Sequence, residues 1–328
     1  MPQHKNIDNQ VMRWCEQIKQ AQVDQQIIQI SGHHSKVLRD AATESLSTAG
    51  YEGIVSYEPA ELVITVKAGT KLSELKAVLA QHKQMLGFEP PDYGDSTIGG
   101  TYACALTGPS RPFRGSLRDF VLGTKLIDGQ GRYLSFGGRM IKNVAGYDVS
   151  RMLVGSKGSM ALVTELSLRV IPLMEERSYQ MEMSENEAIL LMNQMAGTSL
   201  PLSAAAYYEG KFIYRVAGAH PLQTNRVGVT EIDNDIWVRL NPFRPQLPPD
   251  VKLWRLDVES TTPAIENTIA VGSCGMRRWV ASKDKPNHPY TTLWQAYFAP
   301  RHNDTPRVAH LKNGLRDVFD PHHIFKQM

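Results

Sequence analysis

The stretch that decides the fold reads GGRMIKNVAGYDVSRMLVGSKGSMALVTE, residues 137–165. Its glycines are Gly137, Gly138, Gly146, Gly155 and Gly158. The segment that follows them alternates apolar and polar residues, which predicts a half-buried strand. Because glycine has no Cβ and adopts positive φ without strain, this run predicts a backbone that can approach a ligand closely.

The length of 328 residues predicts two domains, since single cores rarely grow beyond about 250–300 residues. We place the boundary at Pro172, which gives units at 1–172 and 173–328. Strands and helices alternate irregularly and several strand pairs are hairpins, so the predicted fold class is α+β. The second unit is expected to be the smaller, reduced α+β unit, similar to a cap.

Charge, cysteine spacing and hydropathy argue against several classes of ligand and location. The net charge is +3 and like charges do not cluster, so neither nucleic acid nor anionic lipid is favoured. Cys15, Cys104 and Cys274 lie too far apart in sequence for a paired-cysteine metal site. No segment has the length and hydropathy of a membrane span. We expect a cytoplasmic protein, peripheral at the inner membrane only through partners, with no metal of its own.

Two helices carry specific expectations. Residues 71–84 predict a helix with Thr70 as its N-cap. The last helix is predicted to begin at Thr305 and Pro306. Its apolar residues, expected to be buried, are Val308, Leu311, Leu315 and Val318.

Two further loops are rich in glycine and hydroxyl groups. ISGHHSK begins at Ile30, and GDSTIGGTYACALTG begins at Gly94. Consecutive backbone N–H groups in such turns can bind phosphate oxygens, so two loops suggest an extended diphosphate ligand. The alternative is that both are plain connections. The dinucleotide fingerprint and the Walker loop are both absent.

The order of these loops resembles a known family. The series ISGHHSK, MLGFEPPDYGDSTIGG, GPSRPFRGSLRDF and KNVAGYDVSRMLVGSKGSMALVTELSLRVIP is similar to the PCMH-type FAD-binding domain of the vanillyl-alcohol oxidase and p-cresol methylhydroxylase superfamily. Within it, the chain most resembles the FAD-binding E subunits of bacterial glycolate oxidase. The resemblance is strong over residues 26–172 and continues weakly to the DPHHIF ending.

The resemblance implies FAD as cofactor and assigns its contacts. The first loop, wrapping the pyrophosphate, comprises Gly32, His33, His34, Ser35 and Lys36. The second loop and the segment beside it comprise Pro90, Ser96, Thr97, Gly99, Gly100, Arg111, Gly115, Ser116 and Asp119. The flavin side is implied to involve Lys142, Asn143, Gly146 and Tyr147. The adenosine side is implied to involve Gly158, Val163, Thr164 and Glu165. FAD is expected to be non-covalent; a covalent link through His34 is the minority alternative.

No catalytic base can be assigned. Arg111, Arg114 and Lys142 could place positive charge near the flavin, or could form surface salt bridges. Tyr147 could contact the ring system by a hydrogen bond or by packing.

Two motifs of the second half have open interpretations. The tract Arg277, Arg278, Trp279 could bind a carboxylate, or could be an edge strand spaced by charges. His322 and His323 are more typical of solvated residues than of metal ligands.

The resemblance implies an FAD-binding, electron-transferring subunit of a glycolate oxidase. Its expected partners are a larger FAD-linked oxidase subunit and an iron–sulfur subunit, with a small 2-hydroxy acid as the substrate of the complex. One alternative is a self-sufficient FAD oxidoreductase acting on a hydroxy acid or sugar lactone. Another is a structural subunit that has lost FAD.

Overall fold

The computed structural model describes residues 8–35, 43–138, 147–218, 228–241, 243–294 and 305–327. The helices are α1 Asn9–Val23, α2 Leu72–Gln81, α3 Ile98–Ala103, α4 Arg111–Arg114, α5 Leu117–Phe120, α6 Val149–Met152, α7 Glu185–Ala196, α8 Asp235–Leu240 and α9 Pro306–Phe319. The strands are β1 Ile28–Ser31, β2 Glu44–Ser47, β3 Ile54–Glu58, β4 Val63–Lys67, β5 Gln84–Met85, β6 Val121–Asp128, β7 Tyr133–Gly137, β8 Ala161–Arg169, β9 Ile171–Pro172, β10 Glu176–Glu182, β11 Leu202–Tyr208, β12 Lys211–Ala217, β13 Thr230–Ile232, β14 Lys252–Asp257, β15 Thr268–Gly272, β16 Arg277–Ser282 and β17 Thr291–Leu293. The predicted α+β class is confirmed.

The first half is built on a five-stranded antiparallel sheet in the order β3-β4-β8-β6-β7. The strand predicted from the opening stretch is β8, which lies at the centre. Helices α2 and α3 cover one face and bury Leu72, Leu75, Leu79 and Tyr102 against it. Thr70 does not cap α2, contrary to the sequence prediction, because its hydroxyl is bonded to the Gly53 backbone.

A bulge in β8 changes which face its residues present. Along β6, Lys125 pairs with Glu165 but the next residue pairs with Val163, so Thr164 is the extra residue. Leu162 therefore lies in a different core cluster from Leu166 and Leu168, whereas simple alternation predicted one shared face. Because of this extra residue, Val163 and Glu165 do not share one face of the strand, as simple alternation would require.

A second layer covers the other face of this sheet. Helix α1 buries Val11, Trp14 and Ile18 there, together with Ile28 of β1. The chain terminus returns to the same layer, since Ile28 N donates to Ile324 O and forms a bridge with Phe325.

The C-terminal segment thus packs on the first half, although the predicted boundary placed it in the second. Phe319 lies in the core around α2, and Asp320 accepts hydrogen bonds from the N–H groups of Ile324 and Phe325, both at 3.0 Å. We propose that residues 305–327 belong structurally to the first unit.

The predicted burial of the α9 stripe is wrong. Val308, Leu311 and Val318 are 40%, 59% and 63% exposed, and Leu315 is half-buried. The buried residues of α9 are Arg316 and Phe319, whose face turns toward the first sheet. The predicted N-cap Thr305 and first residue Pro306 are confirmed.

The second half is an eight-stranded antiparallel sheet in the order β13-β10-β12-β11-β15-β16-β14-β17. Helix α7, whose capping box pairs Ser184 with Glu187, packs on one face through Ala188, Ile189 and Met192. Strand β16 lies between β15 and β14, so the edge-strand interpretation of the Arg277–Trp279 tract is wrong.

Four charged side chains join the two halves. Arg215 of β12 donates to both carboxylate oxygens of Glu89, at 2.7 and 2.8 Å, and its Nε lies 3.4 Å from Glu176. Arg114 of α4 lies 2.5 Å from Glu176 and 3.5 Å from Glu89. All four side chains are at most 14% exposed. We call Glu89, Arg114, Glu176 and Arg215 the interface ion cluster.

Candidate functional site

Two predicted glycine loops meet at a small cavity of about 70 Å³. The first loop follows β1 and the second precedes α3. They are joined by His33 Nδ1, 3.0 Å from Asp95 O, and by the hydroxyls of Ser35 and Ser96, 3.3 Å apart. The predicted residues that line this cavity are Gly32, His33, His34, Ser35, Thr97, Gly99, Gly100, Gly158 and Val163.

The backbone at this cavity leaves no room for larger residues. A Cβ at Gly32 would lie 2.7 Å from Thr97 Oγ1, and one at Gly158 would lie 3.1 Å from Ile30 Cβ. Gly158 also has a φ of +77°, which residues with a side chain rarely adopt. The two glycines therefore serve close packing of three chain segments.

The second loop is fixed by its own hydrogen bonds. Thr97 caps α3 by accepting from Gly100 N at 3.1 Å, and buried Ser96 accepts from Tyr93 N at 3.0 Å. Gly99 N donates to Ala68 O at 2.8 Å, and Ala68 N donates to Thr164 O at 2.7 Å. These bonds connect the loop to the central strand β8.

The residues present fit a bound diphosphate. His34 Nδ1 is buried and has no hydrogen-bond partner, although buried polar atoms are almost always paired. It lies in a cavity edged by hydroxyls and by the backbone of two glycine loops. A ligand with several acceptor oxygens would satisfy such groups.

A larger cavity of about 970 Å³ lies between the two halves. One wall comes from the first half and includes the predicted residues Arg111 and Ser116. The opposite wall comes from the second sheet and includes Arg255 and Trp279, while α9 contributes Lys312. Its size is within the range of small-molecule and cofactor sites.

The two cavities are adjacent. Cys104, Ser156 and Lys157 line both of them. Gly155 N and Lys157 N donate to Tyr102 O and Ala103 O, which fixes this segment against α3. An elongated ligand could therefore run from the glycine loops into the space between the halves.

The larger cavity is strongly basic. Its cationic side chains are those of Arg111, Arg118, Lys157, Arg255, Arg277, Lys312 and Arg316. None of the described residues that line it is an aspartate or glutamate. The cavity therefore favours anionic ligands.

Several predicted residues support the cavities without lining them. Pro90 and Ser96 are buried. Gly115 and Asp119 lie at the start of α5, where Ser116 donates to Asp119 from both its backbone and its hydroxyl. Partial burial acts to raise the pKa of Asp119, but these two hydrogen bonds leave it below its usual value.

Three predicted residues lie away from the cavity linings. Tyr147 is 96% exposed, and its predicted contact with the flavin ring stays a prediction. Thr164 is buried and its hydroxyl donates to Lys125 O at 3.1 Å. Glu165 is buried, and its carboxylate lies 3.0 Å from Lys125 Nζ. Lys36, Lys142, Asn143 and Gly146 lie outside the described residues.

Sequence reasoning missed the wall contributed by the second half. Trp237, Phe243, Arg255 and Trp294 line the larger cavity but come from separate segments with no motif of their own. The partial signal was the Arg277–Trp279 tract, of which Arg277 and Trp279 line the cavity. Arg278 is fully buried and donates to backbone carbonyls, including Thr262 O at 2.6 Å.

Neither a metal centre nor a membrane span is found in the described ranges. They contain no group of three or more His, Cys, Asp or Glu residues arranged for a metal ion. His323 instead contacts Asp317 at 2.8 Å. No helix there has the length and apolarity needed to cross a bilayer.

Comparison with known proteins defines the class. The FAD binding domain family matches residues 10–137. The solved structure of alkyldihydroxyacetonephosphate synthase aligns with 96% of this chain and 75% of its own, at a TM-score of 0.65 and 12% identity, which shows a shared fold. The chain is an FAD-dependent oxidoreductase of the PCMH type, and the prediction of FAD as cofactor is confirmed.

Closer relatives define the family. Glycolate oxidase subunit GlcE of Escherichia coli (strain K12) is 38% identical over 287 residues, covering 83% of this chain and 81% of that protein. Glycolate oxidase subunit GlcD of Bacillus subtilis (strain 168) is 33% identical over 137 residues, covering 40% of this chain and 28% of that protein. The chain belongs to the GlcE family of glycolate oxidase subunits.

Proposed function

We propose that this chain is the FAD-carrying, electron-transferring subunit of a cytoplasmic glycolate oxidase complex. Its partners would be a larger FAD-linked oxidase subunit and an iron–sulfur subunit, and the substrate of the complex a small 2-hydroxy acid. Family membership supports the proposal, and so does one structural observation. The two glycine loops meet at a cavity in which His34 Nδ1 is buried without a partner.

We assign the pyrophosphate to this smaller cavity. His34 Nδ1, the Thr97 hydroxyl and the backbone around Gly32 and Gly158 would hold the phosphate oxygens. FAD supplies reversible two-electron redox chemistry when bound. The flavin end would extend past Cys104 and Lys157 into the larger cavity. There Arg111 would contribute positive charge, since no partner of its side chain lies among the described residues.

The residues around the larger cavity also bear on which subunit of the proposed complex deprotonates the substrate. Around the larger cavity they present arginines, lysines and aromatic rings, and no lining carboxylate that could serve as a base. Our proposal therefore places deprotonation of the hydroxy acid on the larger subunit. This chain would orient the flavin and shield it from water.

The visible spectrum of the purified chain tests the proposal. We expect a flavin band that acid precipitation releases and that anaerobic glycolate does not bleach. Bleaching by glycolate would favour a self-sufficient oxidoreductase, and a band retained in the pellet would indicate a covalent link through His34. Absence of the band after addition of FAD would contradict the proposal and favour a structural subunit.

A further inference from the structure

The wall of the larger cavity opposite the glycine loops has a distinct chemistry. It consists of Arg255, Arg277, Trp279, Thr292 and Trp294, on β14, β16 and the β17 region, which we call the cap wall. Strand register brings its parts together, because Arg255 pairs with Trp279 on one side and with Thr292 on the other.

Arg255 is the central group of this wall. It is 8% exposed, so it is held by the fold rather than extended into solvent. Its Nη2 donates to Asp257 at 2.8 Å, and its Cζ lies 5.3 Å from the centre of the Trp294 ring. Its Nε, however, is buried and makes no hydrogen bond. An unpaired donor of a buried guanidinium is costly unless a ligand satisfies it.

The charges of the wall suit a monoanion. Asp257 faces both guanidinium groups, since its second oxygen lies 3.7 Å from Arg277 Nε. One carboxylate against two guanidinium groups leaves one positive charge on these three residues. A carboxylate would balance that charge and match the planar guanidinium donors, whereas a phosphate dianion would exceed it.

The aromatic rings define the rest of the ligand. Trp279 and Trp294 lie edge to face with centroids 4.7 Å apart, and Phe243 lies 5.4 Å from Trp279. These rings would pack against a short carbon chain, and the Thr292 hydroxyl lies on the same wall. The site therefore has a charged end and an apolar side.

We propose that the cap wall is a binding site of this chain for a small organic acid, which it holds through its carboxylate. The inference rests on the proposed function for the identity of the acid, a 2-hydroxy acid or the corresponding 2-oxo acid. It adds that this subunit binds the acid itself, at a position facing the flavin end of the cavity.

Isothermal titration of the FAD-loaded full chain under anaerobic conditions tests this. The probe is glycolate, with ethylene glycol as the neutral analogue and inorganic phosphate as the dianion. We expect glycolate to bind, ethylene glycol not to bind, and phosphate to bind more weakly than glycolate. Absence of glycolate binding, or tighter binding of phosphate, would overturn the proposal.

Variants locate the site. Arg277→Gln should weaken glycolate binding by about tenfold or more, as expected for loss of a charged hydrogen-bond donor. The matched control is Arg177→Gln, since Arg177 is on the same sheet but is 43% exposed and pairs loosely with Glu231. Thr292→Val serves as a second, milder variant should removal of an arginine impair folding. Equal affinity in all three would overturn the assignment.

The flavin spectrum separates this inference from the proposed function. A wild-type chain that carries FAD but binds no glycolate would contradict the cap-wall site alone. A chain that carries no FAD after reconstitution would contradict the proposed function.

Discussion

The two cavity walls differ in how they are built. The wall from the first half uses backbone groups, glycines and small hydroxyls drawn from a few continuous loops, such as 30–35 and 94–105. The cap wall uses long side chains, Arg255 and Trp279 among them, that meet only through strand pairing. Close approach of backbone suits a large, fixed cofactor, whereas arginines beside aromatic rings suit a small, exchangeable anion.

The largest expected loss of stability comes from a substitution in the interface ion cluster, which joins the two halves that carry these walls. Replacing Arg215 with Met would leave Glu89 and Glu176 buried with Arg114 as their remaining cation. We expect a loss of about 3–5 kcal/mol in the free energy of unfolding, because an uncompensated buried charge is strongly destabilising. Urea unfolding followed by tryptophan fluorescence measures it.

The control for this variant is Arg177→Met, which removes an exposed pair whose atoms lie 3.8 Å apart. It should cost less than about 1 kcal/mol. A similar small loss for Arg215→Met would show that the cluster does not hold the two halves together.

The next prediction tests the wall that comes from the first half. Gly32→Val would place a Cβ 2.7 Å from Thr97 Oγ1 and displace the residue that caps α3. We expect FAD affinity to fall at least about tenfold, or roughly 1.4 kcal/mol. Titration of the apo chain with FAD, followed by flavin fluorescence, measures it.

Gly50→Val is the matched substitution, since nothing lies within 4 Å of a Cβ at that position. It should leave FAD affinity unchanged. Unaltered FAD binding by the Gly32 variant would place the cofactor elsewhere.

The difference between the walls also explains what the sequence could predict. Loops such as 30–35 are contiguous, so a local pattern and a family resemblance are enough to locate them. The cap wall joins Arg255 to Thr292 across 37 positions of sequence, and only strand register brings them together. The bulge at Thr164 was also not predictable from local sequence. It appears only in the pairing of β8 with β6, and it reverses the alternation that the sequence of β8 predicts.

A third prediction concerns buried Asp320, whose carboxylate accepts two backbone hydrogen bonds within the C-terminal segment. Burial raises its pKa despite hydrogen bonds from the backbone of Phe325 and Ile324. A raised pKa means that the folded state binds this proton more tightly than the unfolded state, whose value is about 3.9. The contribution to stability is therefore full below about pH 4 and is lost as the pH rises through the folded pKa.

Asp320→Asn removes this dependence, because the amide stays neutral at every pH and, like the protonated carboxyl, keeps one good acceptor oxygen. We define the stability gap as the free energy of unfolding of the wild type minus that of the variant. We expect this gap to fall as the pH rises from about 4 toward neutral, by about 1.4 kcal/mol for each unit by which folding raises the pKa. Urea unfolding of both chains over a pH series measures the gap. A gap that widens as the pH rises would reverse the assigned direction.

The smallest expected effect tests the corrected orientation of α9. Helical spacing alone predicted that Leu311 is buried, yet it is 59% exposed, whereas Phe319 of the same helix is 6% exposed. Leu311→Ser should change the free energy of unfolding by no more than about 0.5 kcal/mol, as for other surface substitutions. Phe319→Ala should cost about 3–5 kcal/mol. Helical spacing alone cannot show which face of a helix the rest of the chain covers. Thermal and urea unfolding of the two variants would show which face of α9 is buried. Equal losses in the free energy of unfolding for the two variants would instead support the burial of Leu311 that the sequence pattern predicted.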